Sequence, residues 1–164
     1  MGKGIIVYFS LDGNTEFVAG LIHKITGFDL IKIIPIKEFK YKGFLKFFMG
    51  GKMSVFGETP EIQDFEKDIK SYDTIIIGTP VWAGRPNPYI NTFVSNYDLK
   101  GKRVAIFACC AGYPNKTFDI LKEKIKGDVL STIFFRNALK NKNSGIEEKI
   151  REWIRQNGLN YFTN

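Results

Sequence analysis

Apolar positions along this chain follow two periods. Ile5, Ile6, Val7, Tyr8 and Phe9 run without interruption, the pattern of a strand buried on both faces. Phe17, Val18, Leu21, Ile22 and Ile25 then recur at helical spacing on one stripe, which Gly27 ends. Phe28 to Ile34 reads as a second strand, stopped by Pro35. Asp73 to Gly78, carrying Ile75, Ile76 and Ile77, is a third; Lys102 to Cys109, carrying Val104, Ala105, Ile106 and Phe107, is a fourth; Val129 to Phe135 is a fifth. Helices fill the gaps. Asn87 is placed to cap a helix with Pro88 in its first turn and a stripe of Ile90, Phe93, Val94 and Tyr97. Phe118, Leu121 and Ile125 mark the next helix. Ser144 and Glu147 have the spacing of a capping box for the last, whose buried face is Ile146, Ile150, Trp153 and Ile154.

Strands that alternate with helices imply an α/β fold, a doubly wound five-stranded parallel sheet with helices on both faces. Right-handed crossovers leave few topologies, and ligands of such sheets sit outside the carboxyl ends of the strands. The chain reads as one domain over 1–164, with an aromatic and lysine-rich insertion at about 35–60.

Composition narrows the function more than the fold. With 44% hydrophobic and 25% charged residues the chain is of ordinary globular type. No apolar run approaches the ~18–20 residues of a membrane span, and nothing after Met1 resembles a secretory leader, so the expected compartment is the cytoplasm. Cys109 and Cys110 are adjacent and build neither a disulfide framework nor a four-ligand metal site; they read as small hydrophobes at a strand end. His23 has no grouped ligands and reads as an ordinary helix residue. The net charge is +7, from 24 basic and 17 acidic residues, a balance that favours acidic partners or anionic ligands. The lysines are scattered, and no nucleic-acid signature accompanies them.

The candidate chemistry lies in three loops. FSLDGNTEF, Phe9 to Phe17, joins the first strand to the first helix. Hydroxyls, a permissive glycine and free backbone N–H groups at a helix N-terminus form an anion site suited to one phosphate group. Asn14 or Thr15 as a plain helix cap is the simpler reading. Neither the Gly-Lys-Ser/Thr loop of nucleotide triphosphatases nor the glycine triplet of dinucleotide folds is present. The second loop, Thr79-Pro80-Val81-Trp82-Ala83-Gly84-Arg85-Pro86-Asn87-Pro88, sets an indole among prolines and glycine, where it loses little entropy on stacking against a flat ligand. Packing beneath the loop is the other use of Trp82. The third, Cys110-Ala111-Gly112-Tyr113-Pro114-Asn115, offers backbone amides and a second aromatic.

Ser10, Gly13, Asn14 and Thr15 resemble the phosphate loop of the flavodoxin family, in which a hydroxyl residue, two intervening positions and Gly-Asn-Thr surround the phosphate of flavin mononucleotide (FMN). Asp12 departs from that pattern, since the family more often has Thr or Ser there. Thr79 to Phe93 is a close match to one branch of the family. The resemblance implies strand order 2-1-3-4-5 and FMN as cofactor. It places Ser10, Leu11, Asp12, Gly13, Asn14 and Thr15 at the phosphate, Asp12 through its backbone alone. Thr79, Pro80, Val81, Trp82, Ala83 and Gly84, with Cys110, Ala111, Gly112 and Tyr113, are placed around the ring. The implied function is electron transfer between redox partners, with an FMN-dependent NAD(P)H oxidoreductase acting on quinones or other small acceptors as the alternative. A receiver domain of the same fold would need acidic residues at the strand ends, which Phe9-Ser10 and Gly78-Thr79 lack.

Between Pro35 and Pro60 lies a stretch longer than most connections, holding Phe39, Tyr41, Phe44, Phe47, Phe48 and Phe56 with Lys37, Lys40, Lys42, Lys46 and Lys52. Gly50-Gly51 is expected to split it into two short pieces. Its first use is to cover the sheet; a partner surface is the second, and membrane contact is not expected. Acidic redox proteins are the expected partners, steered by Lys42, Lys46, Lys52 and Arg85.

Overall fold

The computed structural model describes residues 2–37 and 43–159, with side chains in the helix at 43–55 described from Met49 onward. Phe39, Lys40, Tyr41 and Lys42, and the side chains of Phe44, Lys46, Phe47 and Phe48, lie outside the described residues. The elements in chain order are β1 (Gly4–Tyr8), α1 (Asn14–Thr26), β2 (Asp29–Lys32), α2 (Gly43–Val55), β3 (Thr74–Trp82), β4 (Arg85–Pro86), α3 (Pro88–Asn96), β5 (Arg103–Cys110), α4 (Thr117–Lys124), β6 (Asp128–Arg136) and α5 (Ile146–Gln156).

Five parallel strands form the sheet in the order β2-β1-β3-β5-β6, and the two-residue β4 pairs antiparallel with the end of β3. Leaving β4 aside, this is the order 2-1-3-4-5. Successive side chains on a strand face opposite ways, and the core divides accordingly. Ile5, Val7, Ile75, Ile77, Val104 and Ile106 pack on one face with Ile90 and Phe93 of α3 and Leu121 of α4. Ile6, Tyr8, Ile76, Ala105 and Phe107 pack on the other with Val18 and Ile22 of α1 and Ile150 and Trp153 of α5. The sheet is therefore covered on both faces, as its uninterrupted apolar strands require. No helix of the described residues is long and apolar enough to cross a membrane.

Local signals mostly act where the sequence puts them. Gly27 ends α1 at φ 68°, and the Asn87 side chain caps α3 by accepting from the N–H of Tyr89 at 2.9 Å. Three expectations are corrected. The capping box at Ser144 is absent: the Ser144 hydroxyl donates to the carbonyl of Asn141 at 2.6 Å, and Gly145, at φ 76°, stands at the cap of α5. Glu147 instead takes Arg151 one turn along. Short polar side chains often bond their own turn in preference to a helix. The third strand runs past Gly78, so Thr79 to Trp82 are strand residues that turn through Ala83 and Gly84, both at positive φ (51° and 70°), into β4. Two positive φ values fit a type I′ hairpin, whose twist matches that of its strands. Finally, α2 runs unbroken through Gly50-Gly51. Gly50 is buried against Trp82 of β3, so tertiary contact offsets the poor helix propensity of the pair.

Candidate functional site

Four loops meet at the carboxyl edge of the sheet, around the crossover between β1 and β3. β1 leads straight into the first, where the N–H of Phe9 still bonds the carbonyl of Gly78 at 3.2 Å. Gly13 turns the chain into α1 at φ 83°, with no side chain capping the helix. Neither Asn14 nor Thr15 takes that role. The Asn14 Oδ1 accepts from the N–H of Leu139 at 3.0 Å, and Thr15, 1% exposed, sets its hydroxyl beside the thiol of Cys109. The first-turn N–H groups of α1 thus keep the anion-attracting character of an uncapped helix start. Just before them, the buried hydroxyl of Ser10 has no hydrogen-bond partner, an arrangement that costs stability unless a ligand completes it.

The β3–β4 hairpin forms the second side. Thr79, fully buried, accepts from the N–H of Asn87 at 3.1 Å through its hydroxyl and braces the start of α3. Trp82 meets Phe9 edge to face, with centroids 6.1 Å apart and planes at 88°, and Phe9 leans in turn on Tyr89 at 4.7 Å. Gly84 passes its carbonyl to the N–H of Lys116 at 3.0 Å, tying the hairpin to the loop after β5. That third loop is drawn in by the Cys110 thiol, which donates to the carbonyl of Gly112 at 3.2 Å.

A cleft of about 410 Å³ opens between these elements. From the sequence-derived site residues it gathers Leu11, Asp12, Asn14, Val81, Trp82, Ala83, Cys110 and Ala111 on its wall. Ser10, Gly13, Thr15, Thr79, Pro80, Gly84 and Gly112 stand behind or beside that wall. Tyr113 is not on that wall: it is 64% exposed, and its ring sits under the Arg136 guanidinium at 5.3 Å and 6.1 Å from Phe134.

Two wall residues are not among the sequence-derived site residues, Cys109 and Asn137. Asn137 begins a fourth loop, after β6. It adopts φ 45°, a conformation Asn tolerates better than most residues, while its N–H donates to the carbonyl of Cys110 at 2.9 Å. The signal for it is positional: β6 ends at the same edge as β1, β3 and β5, and Arg136-Asn137 is its carboxyl end. Burial pushes the Cys109 thiol up to about 12, with the Thr15 hydroxyl working weakly the other way; burial also raises Cys110. Both thiols are protonated near neutral pH and present a soft, uncharged wall.

The family described as flavodoxin matches residues 3–157. A candidate flavoprotein of Bacteroides eggerthii superposes with a TM-score of 0.76 at 23% identity, over 96% of this chain and 99% of that one. A flavoprotein of Lactobacillus acidophilus, solved in complex with FMN, does so with 0.69 at 26% identity, over 86% and 98%. The flavodoxin of Fusobacterium nucleatum, bound to FMN, gives 0.55 at 15%, over 95% and 96%. No curated protein matches the sequence.

Proposed function

The chain belongs to the flavodoxin family, and on that premise we propose that it holds one FMN in the cleft and carries electrons between redox proteins. The observation that carries this reading is the partnerless buried hydroxyl of Ser10 beside the uncapped start of α1, next to a cleft that the Trp82 indole helps to line. A single phosphate would complete Ser10 and accept from the first-turn N–H groups of α1, with the Asn14 side chain alongside. The indole of Trp82 and the small residues Ala83 and Ala111 leave room for a flat ring between the second and third loops. Bound flavin supplies the redox chemistry.

The chain's own residues orient the ring and exclude water through Leu11, Val81 and Trp82. Among the described residues the cleft wall has no His, Lys, Arg or Tyr; its one carboxylate is that of Asp12, and both thiols are held protonated. A wall whose ionisable groups among the described residues are one carboxylate and two protonated thiols favours electron carriage over proton-coupled reduction of a small acceptor.

Titration of the purified chain with FMN and with flavin adenine dinucleotide tests the cofactor, read by quenching of flavin fluorescence. FMN should bind more tightly, because the first loop offers donors for one phosphate and no second glycine fingerprint serves a pyrophosphate. Equal affinity would remove the argument from the loop. Anaerobic addition of reduced nicotinamide nucleotide to the loaded protein then separates the two functions. Fast bleaching of the flavin would favour an oxidoreductase; bleaching only through a redox protein supports the carrier.

A further inference from the structure

Helix α2 lies outside the strand and helix pattern of the minimal sheet, yet it meets the site at Gly50. Gly50, in its second half, is buried, and a methyl built on it would come 2.7 Å from Cε3, 2.8 Å from Cζ3 and 3.3 Å from Cδ2 of Trp82. Real Cβ atoms do not approach carbon so closely. The six-membered part of the indole therefore rests on bare helix backbone. Gly51, the next residue, is different: its methyl would meet only the Cβ of Ala83, at an ordinary 3.5 Å.

Trp82 is consequently held from two directions. Phe9 meets it edge to face at 6.1 Å, and the α2 backbone at Gly50 backs its larger ring. Trp82 also lines the cleft wall. A large side chain loses little freedom on binding when its neighbours already fix its orientation, and that saving appears as affinity. Glycine in the middle of a helix is otherwise unfavourable relative to alanine. A buried glycine at this position is explained by the space the indole needs.

We infer that Gly50 is a positioning residue for ligand binding, and that α2 serves as a backing plate that holds the Trp82 indole in the orientation the cleft ligand stacks on. The identity of that ligand as FMN rests on the reading above; the orientation of Trp82 does not.

The test compares Gly50→Ala with Gly51→Ala, two substitutions that add the same methyl and the same helix propensity one residue apart. Each is measured for the near-UV circular dichroism of the indole in the flavin-free chain, for thermal midpoint and for FMN affinity. Gly50→Ala should alter the indole signal and weaken FMN by about tenfold, the scale of one well-placed aromatic contact. Gly51→Ala should leave both unchanged. The double variant Gly50→Ala/Trp82→Phe restores room at the contact, and should bind FMN no worse than Trp82→Phe alone. Wild-type affinity and an unchanged indole signal in Gly50→Ala would overturn the proposal. So would losses in the double variant that merely add, since residues acting through one contact are not additive. If Gly50→Ala folds poorly, the comparison of the double variant with Trp82→Phe still decides. If the wild-type chain takes up no FMN, the flavin reading fails, while the indole signals of the two alanine variants still judge the packing of Trp82.

Discussion

The side-chain oxygen of Asn14, second residue of the Gly-Asn-Thr run, accepts a 3.0 Å hydrogen bond from the backbone of Leu139, 125 residues further along. The bond ties the start of α1 to the loop after β6, and Asn14 itself lines the cleft wall. One residue thus joins the first loop of the site to a loop from the far edge of the sheet.

The two halves of that side chain can be separated. Asn14→Ala should cost about 1 kcal/mol of stability from the lost bond and weaken FMN as well. Asn14→Asp keeps the acceptor for Leu139 but sets a carboxylate beside the phosphate, so stability should be retained while affinity falls. Thermal melts and FMN titrations of both variants check this. Equal affinity of Asn14→Asp and wild type would place the phosphate elsewhere.

Ser10 should show the signature of a binding residue that is a liability without its ligand. Its buried hydroxyl has no partner, and leaving such a group unmade costs about 1–3 kcal/mol. Ser10→Ala should therefore raise the thermal midpoint of the flavin-free chain by roughly 2–4 °C for each kcal/mol gained while lowering FMN affinity. Scanning calorimetry with and without FMN reads both effects; a variant that is less stable without ligand would show that the hydroxyl has a structural role.

The alkaline side of the stability profile belongs in part to Cys109. Its thiol is held up at about 12 by burial, against about 8.5 in an unfolded chain. Below the unfolded value both states keep the proton; between the two values only the folded state does. Stability is therefore fully present below about pH 8.5 and is lost as the pH rises through that window. Cys109→Ala should make the alkaline decline of the thermal midpoint shallower than in wild type. Iodoacetamide near pH 8 should label Cys110, which is partly exposed, well before Cys109.

The net charge of +7 bears on partners. With an acidic ferredoxin-like protein as partner, electron transfer should slow steeply as salt rises, because the field is screened beyond about 8 Å at physiological ionic strength. Lys52 is exposed on α2 and Arg85 half-buried on β4. Lys52→Glu and Arg85→Glu should each lower the second-order rate at low salt and flatten its salt dependence. Stopped-flow mixing across a salt series measures this. A rate indifferent to salt and to both reversals would disconnect the charge from partner choice.

The sheet and its covering helices were legible before any coordinates because burial is written locally. Ile75-Ile76-Ile77 can be nothing but a strand wanted on two faces, and the Ile146, Ile150, Trp153 and Ile154 stripe can face only one core. The first loop was legible for the same reason, since a helix start and its small polar residues are neighbours in sequence. What remained hidden depends on distant parts of the chain occupying one volume. Gly50-Gly51 reads as a break until the Trp82 ring fills the space a methyl would need. Ser144 reads as a cap until its hydroxyl turns back to Asn141. Asn137 reads as nothing until β6 is laid beside β5. Periodicity reports how much surface each residue must bury. Which neighbour supplies the cover is a question of excluded volume and competing hydrogen bonds, answered only when the folded chain brings the candidates together.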